Sequence, residues 1–145
     1  MTTPRQMLAY GANMHLSDMR HRAPKSVRIG IGKLDGWRIG VNSSGWLGIA
    51  PEETAHVWGV LYTLGAGDEP QLDAYEAVNR GLYRKSILEV IGPEQSLDAL
   101  VYVPNEPLDG IVRSEYLKRC IAAAMENNLP SEWIEGLREL ATTRP

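Results

Sequence analysis

The 145-residue chain has no phenylalanine, one cysteine and three histidines. Each shortage excludes something. Without Phe, four Trp and six Tyr supply all the aromatic bulk, so the core carries phenol and indole tips that need hydrogen-bond partners. A lone Cys120 excludes an internal disulfide and fits a reducing compartment. His15, His21 and His56 show no i, i+4 pairing and no clustered carboxylate, so no metal site is expected. No apolar run approaches membrane length, and the opening Met-Thr-Thr-Pro-Arg-Gln-Met-Leu lacks the apolar centre of a signal peptide. The expectation is a cytoplasmic protein. Positive charge is short as well: 15 Lys and Arg stand against 18 Asp and Glu, a net charge of −3. Phosphate neutralisation needs a basic face, so neither nucleic acid nor an anionic membrane is an expected partner.

Several motifs fail on inspection. Gly-Ile-Gly-Lys at 30–33 lacks the glycine and the Ser/Thr of a phosphate loop, since Val27 and Leu34 stand there, and it lies inside a strand pattern. No Gly-x-Ser-x-Gly elbow supports serine hydrolase chemistry. Cys120 lies on the apolar stripe of a helix, which is a packing position. The basic cluster Arg20, His21, Arg22, Lys25 and Arg28 reads as a solvated face of a short helix and loop.

What is present patterns as one domain over residues 1–145. Residues 5–10 read as a strand that stops abruptly at Tyr10-Gly11-Ala12-Asn13. Ser17 to Arg22 can form a helical turn before Pro24. Val27, Ile29 and Ile31, then Trp37, Ile39 and Val41, alternate around Asp35-Gly36, which predicts a hairpin turning there. His56 to Leu64 is apolar on both alternations, as in a strand buried on two faces. Asp68 and Pro70 open a helix predicted to run to about Asn79, with Leu72, Tyr75, Val78 and Asn79 inward and Gly81 closing it. Two further strands flank Gly-Pro-Glu-Gln-Ser at 92–96.

The remaining third is helical. One stripe runs through Tyr116, Leu117, Cys120, Ile121, Ala124 and Met125 and ends at Asn127-Asn128. A second runs through Trp133, Ile134, Leu137, Leu140 and Ala141, capped by Ser131. Strands first and helices last indicate an α+β class, with a small, mostly antiparallel sheet curling into a β-barrel and helices around it. One carboxylate stands out. Glu76 follows Leu72 by four residues and borders the inward arc; periodicity alone reads it as an edge glutamate reaching for solvent.

Three stretches resemble the γ-glutamylcyclotransferase family, in order and at compatible spacing. Leu8 to Met14 is similar to an amino-terminal Tyr-Gly-Ser-Asn-Leu signature. Leu72 to Lys85 is similar to Leu-Asp-x-x-Glu-Gly-Val-x-x-Gly-x-Tyr, and Glu126-Asn127-Asn128-Leu129-Pro130 to the family's Glu-Asn-x-Leu-Pro link between closing helices. The resemblance implies a β-barrel fold and release of 5-oxoproline from a γ-glutamyl compound, without metal or organic cofactor. It implies that Glu76 is the catalytic carboxylate. It also implies that the turn from Met7, Leu8 and Ala9 through Tyr10, Gly11, Ala12 and Asn13 binds the γ-glutamyl group, with Tyr83 and Tyr102 beside it.

Ala12 replaces the family's Ser and Ala77 its Gly. A non-catalytic small-molecule binding domain of the same fold is the alternative. Trp46, His56 and the Arg20–Arg28 region are candidates for the leaving-group side, and the terminal helices either pair two copies or cover the barrel.

Overall fold

In the computed structural model, which describes residues 4–142, the strands are β1 (Gln6–Ala9), β2 (Val27–Val41), β3 (Leu47–Thr63), β4 (Tyr83–Ile91) and β5 (Ser96–Pro104). They close into a barrel in the order β1-β3-β2-β4-β5. Neighbours are antiparallel except β1 and β5, which run parallel through Gln6 and Met7. The α+β class and the mostly antiparallel barrel expected from the sequence are both present. Met7, Leu8, Val57, Val60, Leu61 and Leu100 fill the interior. β1 is therefore a central staple, held by β3 on one side and β5 on the other.

The hairpin lies elsewhere than predicted. β2 continues through Asp35-Gly36, where Gly36 (φ 85°) sits at a register shift between Asp35 and Trp37. The left-handed glycine makes a bulge that bends a long strand, not a reversal. The chain reverses instead at residues 42–46, because Asn42 Oδ1 accepts from the backbone N–H groups of Ser44 (3.1 Å) and Trp46 (2.9 Å).

The inward face of β2 also differs. A second shift between Arg28 and Gly30 leaves Val27 and Ile29 exposed, while Gly32 and Leu34 point inward. A narrow barrel explains the glycine: a Cβ on Gly32 would meet Val90 Cγ1 at 2.8 Å. Gly32 pairs with Gly59, and there β1 crosses so closely that a Cβ on Gly59 would lie 2.4 Å from Ala9 O.

Among the described residues, four α-helices surround the barrel: α1 (Leu16–Arg22), α2 (Asp68–Tyr75), α3 (Ser114–Glu126) and α4 (Ser131–Glu139). α2 is shorter than predicted. Glu76 terminates it, Ala77 takes a left-handed conformation (φ 54°), and Val78–Arg80 form a separate 3-10 turn. Leu72 is buried as expected, whereas Tyr75 and Asn79 are exposed. Gly67, not Asp68, is the N-cap of α2; the buried Asp68 carboxylate instead accepts from Lys25 N (2.9 Å) and Ser26 Oγ (2.8 Å).

In α3, Leu117, Cys120 and Ala124 face inward, but Met125 is exposed. Pro130 occupies the N-cap of α4 and Ser131 is its first helical residue, so the predicted serine cap is absent; Ala141 is exposed. Among the described residues, no helix is long and apolar enough to cross a membrane.

The crossing at Gly59 makes a test. Gly59→Ala forces β3 off β1 and is expected to cost about 1–3 kcal/mol, lowering Tm by several degrees in calorimetry. An unchanged Tm would mean that the two strands do not approach as described.

Candidate active site

A cavity of ≈ 310 Å³ opens at the end of β1. β1 stops at Ala9, and Tyr10 turns away with its phenol donating to Tyr102 O at 2.6 Å. That bond pins the turn to β5. A 3-10 turn, Ala12–Met14, follows, closed by Met14 N to Gly11 O (3.0 Å) and His15 N to Ala12 O (3.1 Å). The N–H groups of Ala12 and Asn13 precede the first bonded donor, so the turn itself does not use them. At Gly11 a side chain would crowd Tyr116, whose Oη lies 3.0 Å from an ideal Cβ.

The turn is braced from behind. Asn127, buried at the end of α3, donates from Nδ2 to Met14 O (2.8 Å) and Ala123 O (2.9 Å), and its Oδ1 accepts from Arg28 Nε (2.7 Å). The Glu-Asn-x-Leu-Pro stretch thus ties the closing helices to the strand-one turn.

Asn13 is 5% exposed and sits between two charges. Its Oδ1 accepts from Arg22 Nη1 at 2.8 Å, and its Nδ2 donates to Glu76 Oε1 at 3.1 Å. Arg22 in turn lies 3.7 Å over the Tyr75 ring and pairs with Asp18 at 3.8 Å. The basic cluster is therefore not simply a solvated face. Arg22 holds Asn13 of the cavity wall, and Arg28 supports the turn through Asn127.

Glu76 reaches the cavity because α2 ends beneath it and the left-handed Ala77 carries the chain away. Burial pushes its carboxyl up from 4.5 to about 7, against the opposing pull of the Arg22 guanidinium and the Asn13 hydrogen bond. Among the described residues Asn13 is its side-chain hydrogen-bond partner, through Oε1.

The sequence-predicted residues converge. Met7, Leu8, Ala9, Tyr10, Gly11, Ala12 and Asn13 line one wall, with Glu76, Tyr83 and Tyr102 around them. The tyrosines are held as neutral phenols by burial, and their protons are engaged. Tyr83 donates to Leu47 O (2.7 Å) and accepts from Asn42 Nδ2 (3.2 Å), while Tyr102 donates to Asp73 Oδ1 (2.7 Å). Trp46 is at the cavity, edge-on to Tyr116 at 4.9 Å between centroids. His56 is not; it lies against Trp58 and Trp133 on the outside of β3.

Sequence reasoning missed Asn42, Arg80 and Tyr116. The polar turn after Val41 was a usable signal for Asn42. Cys120 is buried, and burial pushes its thiol up to about 12, which fits packing. Among the described residues, no three His, Cys, Asp or Glu side chains are grouped for a metal ion.

The raised carboxyl has a signed consequence. Folded Glu76 holds its proton more tightly than the unfolded chain does, so the native state loses stability as pH rises from about 4.5 to about 7. The full loss is on the order of 3 kcal/mol. Glu76→Gln escapes it. Denaturant titrations should find the two proteins alike below the lower value, with the variant the more stable above the higher one. Equal stabilities throughout would place Glu76 in water.

Residues 56–137, more than half of the chain, match the AIG2-like family. No curated protein matches at a significant level. Among solved structures, one named γ-glutamyl cyclotransferase superposes with a TM-score of 0.87 at 22% identity, covering 94% of this chain and 87% of that one. An uncharacterised human protein gives 0.87 at 23% identity, with 94% and 88% covered. A yeast γ-glutamyl cyclotransferase specific to glutathione gives 0.62 at 11% identity, with 97% and 96% covered. These likenesses establish a common fold. With the family match running from within β3 through α2, β4, β5 and α3 into α4, they lead to one conclusion: the chain belongs to the AIG2-like family and carries the γ-glutamyl cyclotransferase fold.

Proposed function

We propose that the chain is a γ-glutamyl cyclotransferase that closes the γ-glutamyl part of a small molecule into 5-oxoproline and releases the attached amine. One observation carries this reading: a single carboxyl, raised to about 7, faces a cavity beside a glycine turn. No other carboxyl lines that cavity among the described residues.

The reaction is an internal aminolysis. The α-amine attacks the γ-carbonyl carbon, a C–N bond forms, and the original amide C–N bond breaks. A well-placed internal nucleophile can replace about 7–11 kcal/mol of translational and solvent cost. The protein has to hold the chain curled, stabilise the oxyanion and move protons. Two protons pass in all from the attacking to the leaving nitrogen, and Glu76 carries each in turn and returns to its starting state.

Magnitudes explain why a raised carboxyl suits this. An α-ammonium titrates near 8, so passing its proton to an ordinary glutamate is uphill by about 5 kcal/mol. With Glu76 at about 7 the deficit falls to roughly 1.4 kcal/mol, while about half the enzyme remains ionised near neutral pH. Asn13 presents the carboxylate, and the free N–H groups of the Ala12–Asn13 turn are suited to the developing oxyanion. They are backbone donors, so Ala12 in place of Ser leaves them in place. Met7, Leu8, Ala9 and Tyr10 give the γ-glutamyl chain an apolar wall, and Tyr83 and Tyr102 offer ring faces and lone pairs.

The test offers purified protein a panel of γ-glutamyl dipeptides and measures 5-oxoproline. The native protein should release it with kcat/KM rising through pH 7 and levelling above, as Glu76 ionises. Glu76→Gln should lose at least about a thousandfold in kcat while remaining folded. Tight binding of the dipeptides without product would favour the non-catalytic binding domain, and an unfolded variant would give Glu76 a structural role.

A further inference from the structure

Among the described residues, two charged side chains line the cavity, Glu76 and Arg80. The reaction above uses the first. Arg80 ends the 3-10 turn Val78–Arg80, which lies between two left-handed residues, Ala77 (φ 54°) and Gly81 (φ 76°). Backbone bonds close the turn on itself: Arg80 N to Ala77 O (3.1 Å), Gly81 N to Val78 O (3.1 Å) and Leu82 N to Ala77 O (3.2 Å). Asn105 Nδ2 adds a bond to Gly81 O at 2.9 Å. The backbone that carries Arg80 is thus tied down, while the residue itself is exposed at the rim.

The nearby arginines are engaged. Arg22 is held by Asn13, Asp18 and Tyr75, and Arg113 lies 4.4 Å over Trp46 with its Nε donating to Ser44 O at 2.9 Å. Among the described residues the Arg80 guanidinium has no hydrogen bond, ion pair or ring contact. A permanent charge on an anchored turn, unpartnered at the rim of a reaction cavity, is a free anion receptor. Its fork matches a carboxylate in two-point contact.

The geometry points to Arg80 as the residue that selects a leaving group bearing a carboxylate beside the departing nitrogen, an α-amino acid in preference to a plain amine. The assignment rests on the cyclotransferase reading for its orientation. With the γ-glutamyl group between the strand-one turn and Glu76, the substituent on the amide nitrogen extends toward the rim, where the exposed Arg80 stands. The carboxylate lies away from the bonds that change, so the contact is equally strong in the ground and transition states. Its loss therefore appears in KM and not in kcat.

The experiment compares γ-glutamyl-alanine with γ-glutamyl-ethylamide, which differ only in the carboxylate on the leaving side. Arg80→Ala should lower the ratio of their kcat/KM values about ten- to hundredfold, as expected for a lost charged hydrogen-bond pair. Arg80→Lys, which keeps the charge but not the fork, should restore part of it. An unchanged ratio overturns the assignment, because a merely structural Arg80 would affect both compounds alike.

Calorimetric binding in the Glu76→Gln background separates this from the reaction. There γ-glutamyl-alanine should bind the more tightly, and adding Arg80→Ala should abolish the preference. If the native protein forms no 5-oxoproline but this preference and its loss persist, the cyclotransferase reading fails and the anion receptor stands. Equal binding of the two compounds, or binding of neither, overturns the receptor.

Discussion

The cavity depends on the Asn13 amide having one permitted orientation. Arginine can only donate, so the 2.8 Å contact from Arg22 fixes the Asn13 oxygen on its own side. The amide N–H₂ is then forced toward Glu76, where it meets Oε1 at 3.1 Å. Rotating the amide would set two oxygens against each other and two donors against each other. A part-buried guanidinium–amide–carboxyl sequence therefore defines which carboxyl oxygen the amide holds. It also balances the charge: burial raises the carboxyl, and Arg22 and Asn13 restrain the rise to about 7.

The barrel delivers these three groups from distant parts of the chain. β1 brings Asn13 on a turn pinned by Tyr10 to β5 and by Asn127 to α3. α1 brings Arg22 nine residues on, and α2 brings Glu76 after a further long excursion through β2 and β3. The glycine crossing of β3 against Ala9 sets how deep β1 sits, and so where its turn emerges. Fold and site are linked through that one strand.

Much of this was legible in the residues. The abrupt stop at Tyr10-Gly11-Ala12-Asn13, the buried strand from His56 and the two closing helices were visible as pattern. The missed features share a physical cause: local conformation and cross-chain contacts that leave no periodic trace. Alanine is the best helix former, so nothing in Ala77 announces the left-handed turn that ends α2. Gly36 suggested a reversal because a left-handed glycine serves a bulge and a hairpin equally well. The Arg22 contact spans nine residues and depends on where α1 is docked, so a charge-run reading could place it only on a surface. Glu76 itself was an edge residue by spacing; the resemblance, not the periodicity, singled it out.

The account is tested most directly by titrating the Glu76 side-chain carboxyl carbon by NMR in the native protein, assigned against Glu76→Gln. A midpoint near 7 is expected from burial restrained by Arg22 and Asn13. A midpoint near 4.5, the value of a carboxyl in water, would contradict the enclosed acid and with it the proton transfer proposed for this site.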